Sequence, residues 1–149
     1  MIGFDFITAG NATFTVQPPA GFPGQHHYTY KVQRVEGAGK YAGQDTYFVK
    51  LLVGPDNTEY GDYRYLGILD PETGAVRFTL KSCVPANSTP AAVLARVLYR
   101  LARGEGEMIA AAGWKVHHEG RCGRCGRVLT VPASIESGIG PACAGKLVA

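Results

Sequence analysis

Alternation of apolar and polar positions organises the first half of the chain. Residues 28–35 place Tyr28, Tyr30 and Val32 on one side and Thr29, Lys31 and Gln33 on the other. Residues 46–53 set Tyr47, Val49, Leu51 and Val53 against Thr46, Phe48, Lys50 and Leu52. A period of two belongs to a strand with one buried and one wet face. The same reading applies to residues 4–8 and 12–16, which flank Gly10-Asn11 as a hairpin, and to residues 63–69 and 75–81, joined through Asp70-Pro71-Glu72-Thr73-Gly74. In the last arm Val76, Phe78 and Leu80 are expected to face in and Arg77, Thr79 and Lys81 out. Together these runs predict an antiparallel meander of about six strands.

The period then changes to that of a helix over residues 90–103. Thr89 is the expected cap, Pro90 suits the first helical position, and Gly104 supplies the stop. Leu94, Val97, Leu98 and Leu101 form an apolar stripe that can cover the inward face of the sheet. Arg96, Arg100 and Arg103 fall on the opposite side, where a solvated face is the ordinary explanation and a binding face the alternative. A short second helix is expected to begin at residues 108–112. Trp114 has the bulk to pack the C-terminal segment onto the main domain.

Beyond Trp114 the regular patterning gives way to candidate chemistry. His118, Cys122, Cys125 and Cys143 stand in the order His-x3-Cys-x2-Cys-x17-Cys. Two thiolates two residues apart reach one ion from a tight turn, and a third thiolate with an imidazole completes the tetrahedral shell of a structural zinc site. A disulfide would need an oxidising compartment, and residues 1–5 open with an acid and no apolar leader, so reduced thiols in the cytoplasm of a bacterial host are expected. Plain buried thiols are a poor explanation for three cysteines among glycines and arginines. The fourth ligand is open between His118 and its neighbour His117, with Cys83 better explained as a strand-end residue. His118 is favoured because the short Glu119-Gly120-Arg121 span folds it back onto the knuckle.

The segment from His118 through Cys122-Gly123-Arg124-Cys125-Gly126-Arg127 to Gly138-Ile139-Gly140-Pro141-Ala142-Cys143 resembles a family of small zinc-binding domains of unknown function found in phage, prophage and plasmid proteins. The resemblance implies Cys122, Cys125 and Cys143 as ligands, His118 as the usual fourth, and no established activity. Residues 54–57 and 63–67 look, more weakly, like the partner domain of some members. Read from its own residues, the segment is a knuckle, a short strand over 127–131, and a helix begun by Pro141 that carries Cys143 to the metal. That is a treble-clef-like finger. So small a module has little core, and zinc must contribute most of its folding free energy.

The expected fold is therefore α+β, with a β-rich domain over residues 1–107 and a zinc module over 108–149. Charge sharpens this division. Residues 1–113 carry ten Lys/Arg and ten Asp/Glu, whereas residues 114–149 carry five and two, so the whole excess of +3 sits on the zinc module. Arg121, Arg124 and Arg127 surround the knuckle cysteines and can meet a phosphate backbone or an acidic protein surface. They also offset the negative charge that three thiolates leave around a divalent zinc.

No apolar stretch approaches the ~20 residues that span a bilayer. Gly37-Ala38-Gly39-Lys40-Tyr41 lacks the Ser or Thr a phosphate loop needs after its lysine, and His26-His27 has no carboxylate at ligand spacing. With no catalytic constellation, an enzyme is not expected. Two functions are: a zinc-binding accessory protein of a mobile element that binds nucleic acid or a nucleic-acid–protein complex, or a protein-binding inhibitor of a host defence or replication complex. Tyr28, Tyr30, Tyr47, Phe48, Tyr60, Tyr63 and Tyr65 on or beside the strands lend the first some support, since sheet aromatics can stack bases.

Overall fold

A computed structural model of the chain describes residues 2–53, 63–125 and 138–139. Its frame is a six-stranded antiparallel sheet built from β1 (Asn11–Gln17), β2 (Tyr28–Val35), β3 (Thr46–Leu52), β4 (Tyr63–Leu69), β5 (Val76–Arg77) and β6 (Lys115–His118), ordered β5-β4-β3-β2-β1-β6. The helices are α1 (Phe4–Ile7), α2 (Thr89–Ala102) and α3 (Gly106–Ala111). The α+β class and the strand count agree with the pattern, but the membership of the sheet differs at both edges.

Residues 4–8 are not a strand. Ile2, Phe6, Ile7 and Ala9 are all buried, a helical rather than an alternating spacing, and the Thr8 amide and hydroxyl both donate to the Phe4 carbonyl. The edge of β1 expected for that strand is taken instead by β6, which pairs Lys115–His118 with Gln17–Phe14. At the other edge β5 ends after two residues. The Thr79 amide donates to Ser82 Oγ at 2.9 Å and the Ser82 amide to the Thr79 carbonyl at 3.0 Å, so a local turn takes the groups a longer ladder needs. Leu80 sits at that turn fully exposed, not facing inward as expected. Val53, beyond the end of β3, is likewise exposed.

Between β5 and β6 the chain lays α2 on one face of the sheet, with its last turns against Gly74 in the β4–β5 connection. Ser88, not Thr89, precedes its first residue, and the Ser88 hydroxyl donates to the Pro85 carbonyl at 2.6 Å. Val93, Leu94, Val97, Leu98 and Leu101 join Phe14, Val16, Tyr30, Val32, Val49, Leu66 and Leu69 in one buried core. The Tyr30 hydroxyl donates to the Pro90 carbonyl at 2.6 Å, fixing α2 on that face of the sheet. Burial pushes the Tyr30 phenol well above its ordinary range, so it stays a donor.

Candidate metal centre

Pairing along the edge separates the two histidines. Val16 lies opposite Val116 and Phe14 opposite His118, so Val116 and His118 share the helix-covered face. Lys115 and His117 project to the other face, where His117 Nε2 lies 2.8 Å from Gln17 Oε1. The His118 ring lies 5.9 Å from the Phe6 ring on α1. Phe6 was not among the residues that sequence reasoning tied to this site, because nothing local in residues 4–8 signals a ring aimed 112 positions down the chain.

Beyond β6 the chain turns at Gly120, whose amide donates to His118 Nδ1 at 2.9 Å. Cys122 comes next, 1% exposed, and the Arg124 amide donates to its Sγ at 3.4 Å. Between them Gly123 is clamped on three sides. Its amide donates to the Gly138 carbonyl and its carbonyl accepts the Asn11 amide, both at 2.7 Å. A Cβ on Gly123 would stand 2.6 Å from the Phe6 ring and one on Gly138 2.5 Å, so only glycine lets both strands of backbone lie on that ring. Ile139 is buried in the same core as Trp114 and Cys122. Trp114 packs edge-on to Phe22, ring centres 5.1 Å apart.

A hydrogen-bonded chain holds the outer side. Thr15 donates to the Glu119 carboxylate at 2.6 Å, and since that uses its one hydrogen, the 2.7 Å contact with Thr29 requires Thr29 to donate.

Among the described residues no three His, Cys, Asp or Glu side chains are gathered to hold a metal ion. The third candidate cysteine, Cys143, lies outside the described residues, as do Arg127, Tyr60, the expected strand over 127–131 and the helix from Pro141. The donor chemistry can still be tested. Cys122 Sγ, buried and accepting an amide hydrogen within the turn, suits a metal-bound thiolate. His118 Nδ1 already accepts a hydrogen, and in the neutral ring that puts the proton on Nε2. Coordination through either nitrogen must displace the Gly120 amide.

The candidate partner-binding arginines are scattered. Arg121 is exposed and Arg124 half-buried beside Gly10. On α2, Arg100 pairs with Glu105 at 3.2 Å, Arg103 stacks 3.5 Å from the centre of the Tyr99 ring, and Arg96 lies 6.0 Å from that of Trp114.

Residues 116–148 match the model of a family described as Family of unknown function (DUF6011). The matched segment starts inside β6, so it includes a piece of the main sheet as well as the knuckle. No curated protein and no solved structure matches the chain. No helix among the described residues is long and apolar enough to cross a membrane.

Proposed function

We propose that this chain is a non-enzymatic zinc-binding accessory protein that binds nucleic acid. The observation that carries the reading is the turn at Cys122, in which the Arg124 amide donates to Sγ at 3.4 Å while Gly123 is clamped on Phe6. Cys122, Cys125 and Cys143 would hold the ion with His118 as fourth ligand, and zinc would supply folding free energy rather than a reaction centre. Arg121 and Arg124 sit on that turn and Arg127 comes after it in sequence, so charge is presented with little ordering cost at the moment of binding. Phosphate contacts of this kind are insensitive to base sequence and sensitive to salt.

The test is the salt dependence of nucleic-acid binding by zinc-loaded protein. Arg121→Ala, Arg124→Ala and Arg127→Ala should each weaken binding similarly across sequences and lower the salt slope by about one. Unchanged binding in the triple variant, with zinc retained, would leave the finger as a brace for the fold.

A protein partner is the second reading, and the α2 surface favours it. Tyr99 on α2 is about half exposed with Arg103 stacked on its ring, Met108 on the following α3 is about half exposed too, and Tyr, Met and Arg are residues enriched in protein interfaces. If a protein binds there, Tyr99→Ala should dominate the loss of affinity and the finger arginines should contribute little.

A further inference from the structure

The geometry points to the face of the sheet opposite α2 as a platform for single-stranded nucleic acid, with Phe48 and Tyr65 stacking on bases and Lys31 and Lys50 meeting phosphates. This inference rests on the nucleic-acid reading and names a surface for it other than the finger.

Strand register assembles the platform. Thr13, Lys31, Lys50 and Tyr65 lie side by side across β1, β2, β3 and β4, and Asn11, Gln33, Phe48, Ile68 and Arg77 form the adjoining row across β1 to β5. Lys31 stands directly opposite Lys50, so two ammonium stems rise from neighbouring strands about 5 Å apart. The Lys31 ammonium leans over the Tyr63 ring, 4.7 Å from its centre. Phe48 and Tyr65 meet edge to face, ring centres 6.1 Å apart.

The rings are not explained by the core. Phe48 and Tyr65 are each half-buried, yet neither belongs to the buried cluster nor to the apolar side chains packed against it. They face away from α2, which is fixed to the other side through Tyr30 and Pro90. A register shift between Val49 and Lys50 also shapes this face. It sends Leu66 inward, fully buried, so that Tyr65 and Ile68, three residues apart, both point outward. Without the shift, residues three apart would lie on opposite faces.

Rings flanked by cations on one face of a sheet suit a strand whose bases are unstacked, because a base offers its π-face only when it has no stacking neighbour there. A duplex offers such a surface phosphates alone. Free single strands of DNA and RNA share the chemistry, and the choice between them is left to the experiment.

The experiment measures binding of labelled oligothymidine and oligouridine of about 20 nucleotides, and of a duplex of similar length, to the zinc-loaded full chain across a salt series. Phe48→Leu and Tyr65→Leu, which keep apolar volume and lose the ring, should each lower single-strand affinity about five-fold or more and leave duplex binding unchanged. The double variant Lys31→Gln/Lys50→Gln should lower the single-strand salt slope by about 1.4. Thermal melts matching the wild type show that each variant is folded, and the lysine pair, being outside the core, keeps the test decisive should a ring variant melt early. Tighter binding of one oligonucleotide assigns DNA or RNA and supports the proposal. Single-strand binding that survives all these changes within two-fold, or is lost only with Arg121→Ala and Arg124→Ala, overturns the platform and leaves the finger reading standing. Wild-type protein that binds no nucleic acid overturns both.

Discussion

His117 and His118 are neighbours in sequence and strangers in space, because a strand sends successive side chains to opposite faces. His118 turns toward Phe6 and the knuckle, while His117 turns to Gln17 on the far face. His118→Ala should therefore weaken zinc binding more than His117→Ala in a chelator competition, and the reverse order would move the ligand to His117. Coordination by His118 has a second signature, since the Gly120 amide must give up Nδ1 as its acceptor. Its amide resonance should shift on zinc loading in wild type and not in His118→Ala. The cysteine spacing and the competing histidines could be read from sequence because the candidate ligands of the turn lie close along the chain. The rest of the site could not, since Phe6 and Gly138 meet only after the sheet has closed its edge.

At the scale of elements, α1 and the knuckle form one unit. Two glycine backbones rest on the Phe6 ring, and Asn11 at the start of β1 donates to Gly123. Phe6→Ala removes a ring only 2% exposed and should cost about 3–5 kcal/mol of unfolding free energy. Gly123→Ala should lower the melting temperature by lifting the turn from that ring, and a melting temperature equal to wild type in both variants would refute the clamp. The long elements were legible: β2 and β3 follow their alternation, β4 forms over the expected residues although the register shift breaks its period, and α2 keeps the stripe of Leu94, Val97, Leu98 and Leu101 buried. Short segments were not. Residues 4–8 suit either period over so few positions, and residues 75–81 lose their ladder to the Ser82 hydroxyl, a side-chain competition invisible to hydropathy. β6 was missed because Lys115–His118 carries one buried apolar residue, Val116, and becomes a strand only through its partner β1.

For the whole molecule, the sheet divides two kinds of surface. One face carries the core, α2 and the His118 side of the candidate metal centre, and the other carries Lys31, Lys50, Phe48 and Tyr65. The knuckle is not appended by a loop alone, for its leading strand is the edge of the sheet and Cys122 lies in the common core. Zinc would then stabilise more than its own turn, since any agent that binds only the folded state raises its stability by mass action. The measurement that tests this account most directly is the metal content of the purified chain by elemental analysis, read beside that of Cys143→Ser. One zinc per chain in the wild type, lost in the variant together with the ordered knuckle, is the predicted result. Absence of stoichiometric metal from wild-type protein purified without chelators, or full retention of zinc by Cys143→Ser, would contradict it.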